Sequence, residues 1–236
     1  MTLPKMLHPT FPLTIPSTKK VVKFRPFLVK EEKILLMAKV SKDMSDILGA
    51  IKQIVNNCAV DRGFDINKLT VFDMEYLFLK IRSSSIGNIV PLAFKDNEDG
   101  KEYKFEVDLN TVEVMFPATN DPDIKITDKL GIKMKYPSAT MYDDKNFLSM
   151  GQEAMFELII RCVDKIYDEN GMYEAKAYSK EDIGTFIEEL DVKSFEKIQD
   201  YLNNTPKLYH LISYENEKGT ARKIELTTLS DFFTLR

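Results

Sequence analysis

Cysteine and histidine are the scarce chemistry-bearing residues of this 236-residue chain, with two of each. Cys58 and Cys162 fall at apolar positions of helix-like patterns. The expectation is therefore two buried, reduced thiols of a cytosolic protein, with no disulfide. Two lone cysteines cannot build a structural zinc site, and neither His8 nor His210 stands at a metal-ligand spacing from a cysteine or another histidine. A Cys–His nucleophile pair needs an exposed thiol, which apolar helix positions do not offer. There is no G-x-S-x-G, no P-loop and no dinucleotide fingerprint. The carboxylate pairs Asp121/Asp123 and Asp143-Asp144 lie in turn-like segments and read as solvated turn residues. No catalytic, cofactor-binding or metal-binding residue is expected, and the chain reads as a non-enzyme.

Long apolar runs are missing too. None approaches the roughly 20 residues of a membrane span. Pro4, Pro9, Pro12 and Pro16 break up any signal-peptide core. The expected protein is soluble and stays where it is made. Its 44% apolar and 30% charged residues are ordinary for a globular domain, and its length suits one large domain or two modest ones. A pI near 5.4 argues against wholesale nucleic-acid binding.

The segment VKFRPFLVKEEKILLMA, Val22 to Ala38, is the most distinctive stretch. It starts with strand-like alternation, is interrupted by Pro26 and enters a helix. From Lys19 to Lys33 six positive charges (Lys19, Lys20, Lys23, Arg25, Lys30, Lys33) face two negative ones (Glu31, Glu32), within a chain of net charge −4. Phe24 and Phe27 flank Arg25-Pro26. Such a segment reads either as a docking surface, with Phe24 and Phe27 as anchors and Arg25, Lys30 and Lys33 pairing with an acidic partner, or as a structural strand with the aromatics in the core. A nucleic-acid-binding accessory role for Lys19–Lys33 is the alternative from a different class, and it predicts affinity that falls steeply with salt.

The proline-spaced Met1–Thr18 reads as an extended arm, giving an arm over 1–20 and a body over 21–236 with lobes 21–140 and 141–236. Helical spacing runs from Glu31 to Ala59, interrupted near Ser41 or Gly49, with Met44, Ile47, Leu48, Ile51, Ile54, Val55 and Cys58 on one face and Asp43, Asp46, Lys52 and Asn56 mostly on the other. Thr70 and Asp73 resemble a capping box for a second helix that is apolar over much of its girth. Short strands follow at Ile89–Phe94, Tyr103–Leu109, Val112–Phe116, Ile124–Ile126 and Ile132–Met134, with Asp99-Gly100 and Asn120-Asp121-Pro122-Asp123 as turns. Lys95–Glu106 has the outline of a calcium loop, but Lys95 stands where the first carboxylate belongs and the flanks read as strands, so a hairpin turn is expected. One helix is expected from near Asn146 through Ile166 to a stop at Asn170-Gly171, a second capped by Ser179 and Asp182, and a third opened by Ser194. Leu208–Tyr214 and Ala221–Leu226 read as a closing hairpin. The fold class is α+β: N-terminal helices, a small mainly antiparallel central sheet, C-terminal helices and a closing β-hairpin. Most of the eleven methionines and fifteen phenylalanines should fill the core. A minority facing outward on the two N-terminal helices would make a groove for a partner helix.

Taken in order, these blocks resemble the baseplate hub assembly proteins of T-even-type contractile-tailed phages. The likeness is carried by Val22–Ala38, by NNCAVDRGFDINKLTVFDMEYLFLKIRSSSIGN from Asn56 to Asn88, by KYPSATM at Lys135–Met141, and by the run CVDKIYDENGMYEAKAYSKEDIGTFIEEL from Cys162. PKLYH at Pro206–His210 and LSDFF at Leu229–Phe233 complete it. Some members carry additional cysteines in the central and final β stretches. This chain has none there, so nothing supports a metal site. The resemblance implies an assembly chaperone or hub component that binds other hub and tape-measure proteins, with self-association as a further reading. It implies work in the host bacterial cytoplasm, with the finished tail baseplate as the other location.

Overall fold

The computed structural model describes residues 6–41, 44–144, 146–147 and 150–232. Pro4, Asp43, the start of the helix expected near Asn146 (residues 145, 148 and 149) and Phe233 of the closing LSDFF lie outside them. The fold class is α+β, with several small antiparallel sheets in place of one central sheet. The chain divides into two compact units, one of Met1–Met115 with Lys207–Arg236 and one of Phe116–Pro206. This division runs elsewhere than the two consecutive lobes expected, because the closing hairpin pairs with a strand that precedes the second unit.

In the first unit, the segment expected as an arm becomes a strand at Phe11. β1 (Phe11–Thr14) pairs antiparallel with β2 (Val21–Phe24), Pro12 opposite Lys23. The turn between them is held by the Ser17 N–H and hydroxyl, which donate to the Asp73 carboxylate at 2.8 and 2.5 Å. Asp73 also receives the Thr70 N–H while its own N–H donates to the Thr70 hydroxyl, completing the capping box of α3 (Val71–Ile86). One buried carboxylate thus caps the start of a helix and anchors a hairpin. The long helical run is two helices, α1 (Val29–Ser41) and α2 (Met44–Cys58). Phe24, Ile54, Met74, Leu77, Phe78, Leu79, Ile81, Leu109 and Phe232 are buried.

β3 (Ile89–Lys95) and β4 (Glu102–Asp108) form one hairpin, and β10 (Lys207–Glu215) with β11 (Ala221–Leu226) another, to which β5 (Glu113–Met115) adds through β10. The calcium-like turn uses its carboxylates to join the two hairpins. The Asp96 side chain accepts the Tyr214 hydroxyl at 2.6 Å and lies 3.2 Å from Arg222 Nε. Glu98 accepts from Asn216 at 2.7 Å, and Asp99 accepts the Glu217 N–H at 3.3 Å as well as the Tyr103 hydroxyl of its own hairpin at 2.6 Å. Gly100, at φ 75°, makes the turn in the left-handed region that glycine favours.

The second unit is a four-stranded antiparallel sheet in the order β6 (Asp123–Lys125), β7 (Gly131–Met134), β8 (Val163–Tyr167), β9 (Met172–Glu174). Its core joins sheet residues Ile124, Ile132, Met134 and Val163 to Ile159 and Ile160 of α4 (Ala154–Cys162), Ile183 and Ile187 of α5 (Lys180–Glu188), and Ile198, Tyr201 and Leu202 of α6 (Val192–Asn203). The helix expected through Ile166 stops at Cys162. Val163 and Ile166 stand three apart, which suits a helix, but they are drawn into strand pairing opposite Met134 and Ile132. The Asn170-Gly171 helix stop is the β8–β9 turn, where both N–H groups donate to the Asp168 carboxylate. Ser179 and Asp182 form the expected capping box of α5. α6 begins one turn earlier than Ser194, with Asp191 as N-cap and Ser194 bonded back to it. At Gly131 an added Cβ would overlap the Tyr167 ring, so a side chain there requires that ring to move.

Candidate functional site

Strand β2 is held on both sides. Beyond its pairing with β1 it meets the chain after α2: the Val60 N–H donates to the Lys23 carbonyl and the Arg25 N–H to the Cys58 carbonyl, each at 2.9 Å. Phe24 is 0% exposed and meets Phe64 edge-on, with ring centroids 5.4 Å apart. Pro26 then turns the chain into α1.

The Arg25 side chain, 13% exposed, reaches across this turn. Its Nη1 and Nη2 each donate to the Glu31 carboxylate at 3.0 Å, and they also donate to the carbonyls of Pro26 and Asn57 at 2.9 Å. Asn57 lies in the last turn of α2, where carbonyls lack helical partners, so the guanidinium closes that helix end. Glu31 is fully buried and reaches back to accept the Leu28 N–H at 3.0 Å, capping the start of α1. Burial pushes the Glu31 carboxyl up, but the bonds from Arg25 and Leu28 outweigh it and hold it below the ordinary glutamate value. The bond to Glu31 raises the Arg25 pKa. Phe27 lies against Phe78 at 5.7 Å between centroids, and its N–H donates to the Ser85 hydroxyl at 2.7 Å. Three of the five residues singled out in the sequence, Phe24, Arg25 and Phe27, thus tie β2 to α1, α2 and α3.

Lys30 and Lys33 point to solvent. The Lys30 ammonium lies 3.7 Å from the already engaged Glu31 carboxylate and is largely exposed. A charge reversal at Arg25 would disturb folding before docking, because Arg25 is the bidentate partner of a buried carboxylate. Glu31 is the residue that sequence reasoning missed. Its only sequence signal is a glutamate three residues after the helix-entry residue Leu28, half of a capping box without the usual Ser or Thr.

The outer side of α1 is unusual. At ~100° per residue, Glu31 and Ala38 share one buried face. Val29, Leu36, Met37 and Val40 gather on the other, where they are 82%, 57%, 65% and 81% exposed. Lys33 sits within this outer stripe, Lys30 on its border beside Met37, and exposed Glu32 on the opposite border.

Little else among the described residues offers chemistry. Both cysteines are free and buried; burial pushes the Cys58 thiol up to about 11 and Cys162 up to about 12. His8 is exposed, and His210, its pKa lowered by burial, lies 3.2 Å from the Thr111 hydroxyl. Among the described residues no group of three or more His, Cys, Asp or Glu is placed to hold a metal ion, and no helix is long and apolar enough to cross a membrane. An open, polar cavity of about 500 Å³ in the second unit is lined by Asn120, Asp123, Lys197, Asp200, Tyr201 and neighbours. There Asn120 Nδ2 donates to the carbonyls of Tyr201 and Asn204 and closes the end of α6.

Comparison with curated proteins and with solved structures gives no match. The model of the T4 bacteriophage base plate protein family matches residues 8–234, nearly the whole length, and the chain belongs to that family.

Proposed function

We propose that this phage baseplate protein is a non-enzymatic assembly factor or subunit of the baseplate hub, which binds hub or tape-measure proteins and holds them ready to assemble. The observation that supports this reading most is the family match over residues 8–234. The order of sequence blocks, which resembles hub assembly proteins in particular, gives the finer role. It works in the host bacterial cytoplasm while tails are built. Docking runs through the α1 region, with Lys30 and Lys33 meeting an acidic partner surface. Phe24, Arg25 and Phe27 contribute from within by fixing where α1 stands.

The test is affinity purification of the tagged chain from infected cells, read by mass spectrometry beside purified virions. Hub or tape-measure proteins in the eluate are the expected result. Absence of the chain from virions then identifies a chaperone, and its presence a hub subunit. An eluate without any tail protein overturns the reading. The nucleic-acid alternative gains no support from Arg25, whose guanidinium is engaged internally. Its signature is binding to DNA or RNA that weakens steeply between about 50 and 200 mM salt.

A further inference from the structure

We infer that the outer face of α1 is the seat of one amphipathic helix from a partner protein, a helix whose apolar stripe is edged by aspartate or glutamate. The inference rests on the assembly reading above and adds the surface and the chemistry of its occupant.

A helix that is apolar on two opposite faces is ordinarily covered on both. The inner face of α1 is covered within its own unit, by packing against α2 and by the Arg25–Glu31 pair. The outer face presents four large apolar side chains within a 13-residue helix, and each is more than half exposed. Val29, Leu36 and Val40 recur at seven- and four-residue steps, the spacing by which one helix receives the side chains of another.

Charge decides what covers them. Lys33 lies inside the stripe, between the positions of Leu36, Val40 and Met37, so any occupant that buries the stripe also removes water from around its ammonium. An ammonium without a carboxylate partner is costly to bury. The occupant must therefore bring an acidic group to Lys33 and gains a second such contact at Lys30. A second copy of this chain fits poorly. In a two-fold pair of α1 helices the two Lys33 ammonium groups approach the axis together, and the only exposed acid of the helix, Glu32, stands on the far border of the stripe.

The experiment uses the full chain and two synthetic helical peptides of about three heptads. Both carry the same leucine stripe; one is edged with Glu and the other with Lys. By fluorescence anisotropy the Glu-edged peptide should bind at least tenfold more tightly than the Lys-edged one. Leu36→Asp combined with Val40→Asp should remove binding with an unchanged urea midpoint, and Lys33→Glu should reverse the preference between peptides. Equal binding of both peptides, or binding of neither, overturns the inference. So does a concentration-dependent dimer of the chain that Leu36→Asp dissolves, because the occupant is then a second copy. The two readings fail separately. If the Leu36→Asp, Val40→Asp chain still retrieves the tail proteins that the wild type retrieves, this surface is wrong and the assembly role stands. If the peptides discriminate as expected but the wild type retrieves no tail protein, the surface stands and the assembly role falls.

Discussion

Helices α1 and α6 are almost equal in length, 13 and 12 residues, yet they finish their apolar surface in opposite ways. α6 places Ile198, Tyr201 and Leu202 in the core of its unit and turns Lys193, Glu196 and Lys197 to solvent. Its one prominent exposed apolar residue, Val192, stands at the first helical position. α1 is held from within by a buried ion pair and displays valine, leucine and methionine outward. A helix with one apolar stripe is complete in its own unit, whereas one with two is complete only when something else lies on it. The two helices of one chain thus differ in whether their apolar surface is covered within the unit or left exposed.

The comparison is broken most severely at the inner face of α1. Arg25→Ala leaves Glu31 buried without its bidentate partner and with only the exposed Lys30 ammonium 3.7 Å away, and removal of one member of such a pair typically costs about 3–5 kcal/mol. Urea denaturation should show a loss of that size; a loss below about 1 kcal/mol would mean that the pair does not hold α1 in place. A second contrast sets Ile198→Ala in α6 against Leu36→Asp in α1. The first empties a fully buried site and should cost about 2–5 kcal/mol. The second changes an exposed side chain and should stay within about 0.5 kcal/mol. Similar losses for both would show that the outer face of α1 is covered within the folded monomer.

The smallest effect is expected at the joined hairpins. Asp96 is held below the ordinary aspartate range, first by the Tyr214 hydroxyl and then by the Glu98 N–H and the nearby Arg222. A carboxyl whose folded pKa is depressed contributes stability above its unfolded value, about 3.9, and loses it as pH falls through the folded one. The urea midpoint of the wild type should therefore decline below about pH 4. In Asp96→Asn that part of the decline should be missing, while the midpoint at neutral pH is already lower. Parallel acid limbs in the two proteins would rule out Asp96 as a source of the decline.

What the sequence made legible was whatever a few adjacent residues decide. Thr70 with Asp73, and Ser179 with Asp182, are local hydrogen-bonding arrangements, and both capping boxes form as the spacing predicts. The closing hairpin is equally local, and the α+β class follows from the order of such pieces. The errors arise where distant partners intervene. Val163 and Ile166 fit a helical stripe by spacing alone, and only the strand Gly131–Met134, some thirty positions earlier, makes them a strand. The candidate site divided along the same line. The basic and aromatic character of Lys19–Lys33 was plain, but which members face inward was not. That depends on Glu31 folding back onto Arg25 and on the end of α2 arriving beside it, a geometry no spacing rule encodes.

The pairing of Met115 with Lys207 has a consequence for how the chain is made. Residues 116–206 form a contiguous unit, and their strands and helices all leave a ribosome ahead of β10. The earlier unit must wait with β5 unpaired and with Asp96 and Glu98 lacking their partners on Tyr214 and Asn216. Synthesis from the N-terminus thus favours completing the inserted unit first. Because β10 starts directly after that unit, folding the insert draws together the ends of a loop of about ninety residues, a closure whose entropy the first unit no longer has to meet alone.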